Sequence, residues 1–329
     1  MHMNDALKAV HTASRKPPLI ELRLWRQFLA VAEELHFGRA ALRLSMTQPP
    51  LTQAIAQLEA LLGLKLFDRT KRSVQLTTTG AALLPEVREL LARAAALPEH
   101  ARAASLGERG RLRLAFVSTV GFGPLPQWVR SFRDAYPQVR LELREATGDV
   151  QLQAFDRGEI DAGFMLHSPG FAPAGFERSL ITREPLVLAL AEHHPLATVR
   201  TLSLAAVLAE PLVIFPRRIV PSVYDAVFAL YHAAGHPPQV AQEAIQMQTI
   251  VNLVSAGLGV AWVPQSVQQF QRPGVVYRAL PTPAARAKGA AKLAEVPQCE
   301  TSLVWRSGAA SPPLQRFVAC VEAMLPQGR

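Results

Sequence analysis

The sequence predicts an α/β protein in which a helical N-terminal unit and a long helix precede a run of alternating strands and helices. Three observations carry this prediction. Between Glu21 and about Gly80 the apolar residues recur at helical spacing. From Thr78 to Leu106 an Ala, Leu, Glu and Arg segment runs on with few turn signals. After the GERG at 107–110 the texture changes to short β-rich runs separated by helix patterns, over about 220 residues.

Residues 1–20 show no sustained periodicity and end in Lys16, Pro17 and Pro18, which predicts a flexible leader. In the unit that follows, Trp25, Phe28, Leu29, Ala32 and Leu35 form one face of a first helix. Phe37, Ala40, Ala41 and Leu44 form a short second helix whose two alanines let another helix approach closely. A brief turn at Ser45, Met46 and Thr47 leads to a third helix. There Leu51, Ile55, Leu58 and Leu62 share a buried face. Gln48, Thr52, Gln53, Ala56 and Gln57 must then face outward as a strip of amides and hydroxyls. Pro49 and Pro50 set the start of this helix, because first-turn amides have no intrahelical acceptor to lose.

A helix, a tight turn and a second helix with a polar N-terminal strip is the geometry that seats a recognition helix in the DNA major groove. Gln pairs with adenine through two hydrogen bonds, and Thr offers a hydroxyl and a methyl. The strip alone reads equally well as the solvated face of any three-helix domain. The following residues favour nucleic acid: Gly63 stops the helix, and LKLFDRTKRSVQLT forms two β-like runs around a tip with Arg69, Lys71 and Arg72. This is a basic hairpin suited to phosphates or the minor groove.

In the long helix, Leu83, Leu84, Val87, Leu90, Leu91, Ala94 and Leu97 form a narrow stripe suited to pairing with a second copy. Pro85 and Pro98 predict kinks. Beyond it, 111–117, 139–145, 160–165, 212–215, 259–263 and 301–305 read as strands, with helices at about 125–136, 149–157, 221–234, 246–256 and 311–325. This alternation predicts largely parallel sheets, divided between two linked α/β lobes. Residues 281–298 read as an exposed loop.

Composition bounds the function. With 49% apolar and 19% charged residues the chain is globular, and its net charge of +9 favours polyanionic partners or anionic ligands. Cys299 and Cys320 form neither a disulfide framework nor a metal spacing, which suits a reducing compartment. With no apolar run of about 18 residues and no signal-like N-terminus, a cytoplasmic location off the membrane is expected. No catalytic motif, metal or cofactor is expected. GLGVAW at 257–262 lacks the third glycine of a dinucleotide loop and precedes a strand, and His193 and His194 suit an exposed turn.

Residues 24–80, with FLAVAEELHFGRAALRL and TQPPLTQAIAQLEALLGLKLFDRTKRSVQLTTTG, resemble the winged helix-turn-helix of LysR-type transcriptional regulators. The likeness continues through SFRDAYPQVRLEL, GEIDAGFM, HHPLA and VSAGLGVAWVP. The resemblance implies a DNA-binding domain over 21–80, a dimerising linker helix over 78–106 and an effector domain over 110–329, the last two-lobed like a periplasmic solute-binding protein. Lobe I would comprise about 110–185 and 299–329, and lobe II about 186–298. It further implies operator DNA as partner, assembly into dimers and a homotetramer, activation of transcription with RNA polymerase as a further partner, and a small organic acid as effector.

By position, the resemblance places Thr47, Gln48, Pro49, Pro50, Thr52, Gln53, Arg69, Lys71 and Arg72 at the DNA. Many relatives carry Arg at the position of Gln53. It places Ser118, Thr119, Thr147, Gly148, Phe164, Phe215, Pro216, Arg217, Arg218, Gln248 and Val263 at the effector. Hydroxyls at helix starts can hold a carboxylate, Arg217 or Arg218 can add a charge, and the aromatics can wall a pocket for an aromatic or unsaturated acid. The pattern is similar to the branch that senses intermediates of aromatic catabolism. The competing readings are an α/β enzyme and a solute-binding protein with a helical extension.

Overall fold

The computed structural model describes residues 19–70, 73–280 and 296–325. Most of the leader 1–20, most of the loop 281–298, and Lys71 and Arg72 therefore lie outside the described residues. The chain divides into two units, Met1–Ala101 and Arg102–Arg329.

In the first unit α1 (Leu22–Glu34), α2 (Phe37–Arg43) and α3 (Gln48–Leu62) pack around Phe28, Val31, Ala40, Leu51, Ile55 and Leu58. Leu35 does not join this face. It caps α1 in the left-handed region, at φ 46°, and is 45% exposed. Between α2 and α3 the Ser45 amide donates to the Leu42 carbonyl and the Met46 amide to the Ala41 carbonyl, with Ser45 at φ 54°. These paired bonds close the end of α2 and let α3 start at once. Gly63, at φ 68°, ends α3. β1 (Phe67–Arg69) and β2 (Val74–Leu76) then pair antiparallel. α4 (Thr78–Ser105) is one continuous helix that contains both Pro85 and Pro98. The expected stripe divides on α4: Val87 is buried and Leu83, Leu84 and Leu91 pack against the core of the first unit, while Leu90 and Leu97 are exposed.

The second unit opens with β3 (Arg109–Phe116), α5 (Ser118–Gly121), α6 (Leu125–Ala135), β4 (Gln138–Glu145), α7 (Gly148–Asp156) and β5 (Ala162–His167). β6 (Phe176–Ala191), α8 (Pro195–Thr198), α9 (Leu204–Leu208), β7 (Leu212–Ile214), α10 (Pro221–Ala233), β8 (Val240–Glu243), α11 (Met247–Ser255) and β9 (Ala261–Pro264) follow. The unit closes with β10 (Val275–Arg278), β11 (Gln298–Arg306) and α12 (Pro312–Met324).

The main sheet has the order β10-β6-β11-β5-β3-β4, with β9 also on β6. Only β3, β4 and β5 are mutually parallel in it, so the expectation of largely parallel sheets is corrected. β11 runs antiparallel to both of its neighbours, β5 and β6. β6 was not anticipated. It pairs with β11 from Phe176 to Pro185 and with β9 and β10 from Leu186 to Ala191. A small parallel pair, β7 and β8, lies apart from this path. β11 begins at Gln298, inside what the sequence suggested was loop. One glycine is dictated by contact: a Cβ at Gly259 would lie 2.2 Å from the Pro211 carbonyl oxygen. Among the described residues three cores result, one around Trp128, Phe132, Phe164 and Phe317, one around Val187, Leu212, Tyr231 and Val251, and a smaller one around Phe155, Ile160 and Met165.

Candidate nucleic-acid interface and effector cleft

On α3 the apolar stripe is fully buried at Leu51, Ile55 and Leu58. Thr47, Gln48, Pro49, Pro50, Gln53, Ala56 and Gln57 are exposed and Thr52 is half-buried. Thr47 is the N-cap and makes no side-chain capping bond; Gln48 opens the helix, with the prolines in its first turn. Thr52 Oγ1 donates to the Gln48 carbonyl at 3.1 Å, so the hydroxyl proton is already used and the methyl and the two lone pairs remain.

Arg69 is not the free cation that the hairpin suggested. It lies 3.4 Å from Glu59 Oε2 and over the Phe37 ring, 4.7 Å from its centroid. Glu59 is the residue that sequence reasoning missed. Its side chain is 3% exposed, and its Oε1 accepts from the amides of Leu66 (2.9 Å) and Phe67 (3.2 Å) while Lys65 Nζ sits 3.1 Å from Oε2. Burial opposes the charge, but the two amides together with Lys65 and Arg69 outweigh it and hold the carboxyl below its ordinary value. A signal existed: Glu59 lies four residues after Ile55, a charge on the apolar stripe.

In the second unit a small cavity of about 30 Å³ is lined by Val117, Ser118, Thr119, Ala146, Thr147 and Leu166 on one side. Phe215, Ile219, Val220, Ile245, Gln246 and Met247 line the other. Two helices of useful length start on it: α7 after its N-cap Thr147 and α11 after its N-cap Gln246, neither with a side-chain capping bond. Their first-turn amides have no intrahelical acceptor, which suits an anion. Ser118 and Thr119 are buried, and Thr119 Oγ1 has no hydrogen-bond partner among the described residues. Thr147 Oγ1 donates to Asp149.

Of the expected effector residues, Ser118, Thr119, Thr147 and Phe215 are thus brought together, and several are not. Phe164 is fully buried against Trp128, rings 5.4 Å apart and 12° from parallel. β5 is buried on both faces; Phe164 and Leu166 share one of them, Phe164 packed into the core and Leu166, nearer the strand's end, lining the cleft. Val263 pairs with Val187 inside the second core, and Trp262 is buried there too. Arg217 is engaged by Asp225 through two 2.7 Å bonds. Arg218 lies 3.7 Å from Asp149 and, with Gly148, lines an adjoining groove of about 700 Å³ that shares Leu166, Ile219 and Val220 with the cavity. Pro216 and Gln248 are not among the lining residues, though Gln248 Oε1 is buried without a partner among the described residues.

The wall from Ile219 to Val220 is held by bonds the sequence did not reveal. The Ser168 amide donates to Ser222 Oγ at 3.0 Å, and Ser168 Oγ donates to the Ser222 carbonyl at 2.9 Å. This double tie fixes the start of α10 to the end of β5. Next to it the buried His167 ring bonds Ser302 Oγ at 3.0 Å and the Ser168 carbonyl at 2.9 Å, while Glu300 is bonded by Arg183 at 2.8 Å.

A helix-turn-helix with a hairpin, followed by a two-lobed α/β unit with a cleft, defines a DNA-binding regulator with a sensor domain. The chain belongs to the LysR family. The LysR substrate binding domain matches residues 105–326, and the bacterial regulatory helix-turn-helix protein of the lysR family matches residues 22–81. It is 45% identical to the HTH-type transcriptional regulator IlvR of Caulobacter vibrioides, over 92% of this chain and 97% of that one. It is 38% identical to AlsR of Bacillus subtilis, over 79% and 85%. Among solved structures, full-length CbnR complexed with its target DNA superposes with a TM-score of 0.72 at 30% identity, over 92% of this chain and 99% of that one. These relatives are transcriptional regulators, and the chain is a transcriptional regulator and not an enzyme. No helix among the described residues is long and apolar enough to cross a membrane.

Proposed function

We propose that the chain reads operator DNA with Gln48, Pro49, Thr52 and Gln53 at the exposed start of α3. Thr47 and Pro50 flank this strip, and the hairpin carrying Lys71 and Arg72 meets phosphate. The observation that supports this is the exposed, uncharged strip at a helix start fixed by two prolines and a closed turn. Arg69 positions the hairpin through Glu59, and its part-exposed guanidinium keeps donors for phosphate. That CbnR has been crystallised on its target DNA supports the same use of the same unit.

The effector in this reading is a small organic acid held by Ser118, Thr119 and Thr147 and by the first-turn amides of α7 and α11. Domain limits follow: DNA-binding 21–80, linker 78–106, sensor 110–329, with the lobes exchanging at 185/186, where β6 changes partners. The exposed Leu90 and Leu97 of α4 support self-association into dimers and tetramers in the cytoplasm, with RNA polymerase as the partner during activation. A ligand that prefers one closure state of the lobes shifts the population by its differential affinity, by typically about 1–3 kcal/mol of coupling. The test is an electrophoretic shift on the DNA upstream of its own gene, at increasing salt, with and without organic acids. A salt-sensitive shift that acids modulate is expected; no shift on any upstream fragment would sink the DNA reading.

A further inference from the structure

The cleft carries information on what it can hold, and this step rests on the reading of the cleft as an effector site. Its twelve lining residues include no charged side chain: the polar groups are Ser118, Thr119, Thr147 and Gln246. The two arginines nearby in sequence are committed elsewhere, Arg217 to Asp225 and Arg218 to the neighbouring groove beside Asp149. One anionic group can therefore be bound by hydroxyls and helix amides, and a second has no cation to meet it. Burying an unpaired carboxylate against this wall is costly.

The walls are aliphatic. Val117, Leu166, Ile219, Val220, Ile245 and Met247 surround the polar end, and Phe215 is the single aromatic ring. At about 30 Å³ the cavity is small. One water needs roughly 10–15 Å³ on the same measure, so a few heavy atoms fill it. The ring-bearing residues that would have widened an aromatic slot, Phe164 and Trp262, belong to the cores. Thr119, whose buried Oγ1 has no hydrogen-bond partner among the described residues, lines this cavity and can donate to a carboxylate there.

We infer that the effector is a short, branched aliphatic monocarboxylate, its carboxylate at Ser118, Thr119 and the free amides of the helix start after Thr147 and its alkyl group between Ile219, Ile245 and Met247, and that aromatic acids and dicarboxylates are excluded. Ile219 and Met247 are 7% exposed and form the closing wall, whereas Ile245 is 52% exposed and forms the rim.

The experiment is calorimetric titration of the full chain with 2-methylpropanoate, 3-methylbutanoate, benzoate and cis,cis-muconate. The branched acids should bind at least about 10-fold tighter than benzoate or muconate, the usual scale of discrimination by a shaped apolar pocket. Thr119→Val should remove that binding. Met247→Ala should admit benzoate and narrow the ratio several-fold; Ile245→Ala, at the exposed rim, is the companion that tolerates truncation should Met247→Ala fold poorly. Tighter binding of benzoate or muconate, lost in Thr119→Val, would overturn the inference and leave the organic-acid reading standing. Branched-acid binding that survives Thr119→Val would place the acid elsewhere and overturn it as well. Binding of no acid at all would remove both the inference and the effector reading beneath it.

Discussion

Glu59 and Thr119 are both buried polar groups, one in each unit, and they are treated in opposite ways. Glu59 is saturated: two backbone amides and two cations converge on one carboxylate. Thr119 Oγ1 meets nothing among the described residues. A buried group with every partner supplied by its own chain holds structure; one whose partners are missing holds a place for something else. Glu59 therefore sets the hairpin of the DNA-binding unit in place, and Thr119 leaves a hydroxyl of the sensor unit open.

The largest effect expected from this comparison is at Glu59. Glu59→Ala leaves the Leu66 and Phe67 amides without their acceptor and frees Arg69, at about 3 kcal/mol, the lower end for a broken buried pair because Lys65 is 76% exposed and screened. Glu59→Gln can still accept from both amides and costs less, about 1–2 kcal/mol. Urea denaturation read by circular dichroism measures both. The carboxyl lies below its ordinary 4.5, so its contribution is fully present above that pH and is lost as pH falls through the depressed folded-state value. A wild-type acid transition that Glu59→Gln leaves unchanged would mean the saturated group is not holding the hairpin.

Second in size is the exposed strip. Gln48→Ala, and separately Thr52→Ala, should each weaken operator binding by about 1–3 kcal/mol, read as a change in Kd that depends on the operator bases. The Gln48 side chain makes no hydrogen bond among the described residues, whereas Thr52 has spent its proton on the Gln48 carbonyl. The Gln48 change should therefore be the larger of the two, and equal losses would argue against base readout.

The third prediction concerns the open group. Thr119→Val removes a buried hydroxyl without a partner, so the fold should gain stability, by up to about 1 kcal/mol, while the response to acids is lost. Stability and response should move in opposite directions. A destabilised variant would show that Thr119 has a structural partner after all.

How far the sequence shows these things depends on which physical signal each carries. The stripe of α3, the prolines at its start and Gly63 at its end are local, and they were legible. The strands β3 and β5 were legible as apolar runs. β6 was not, because Arg183, Glu184 and Pro185 interrupt it; the proline sits where the strand changes partners, at the one point that tolerates a missing amide. β8 is exposed throughout and offers no apolar signal. In the cleft, hydroxyls at helix starts were legible and aromatics were not. Alternation assigns faces only when one face is wet, and β5 is buried on both. Charge is likewise visible without its partner: Arg69, Arg217 and Arg218 read as free cations until the carboxylates that hold them are in place.

The smallest effect tests whether the first unit is as completely set as Glu59 suggests. Ser45 sits at φ 54° in the turn between α2 and α3, a conformation that costs a side chain about 1 kcal/mol and costs glycine nothing. Ser45→Gly relieves that strain but gives the unfolded chain more freedom, so a net gain of about 0.5 kcal/mol is expected in urea denaturation. The two backbone bonds, from Ser45 to Leu42 and from Met46 to Ala41, survive the change because they involve no side chain. Gln48 should then keep its place, and operator affinity should stay within error. Ser45→Val makes the opposite demand, forcing a β-branched residue into the left-handed region, and should lower stability and affinity together. If Ser45→Gly stabilises the unit yet weakens operator binding, the turn is a working hinge and the recognition helix is positioned on the DNA and not before it.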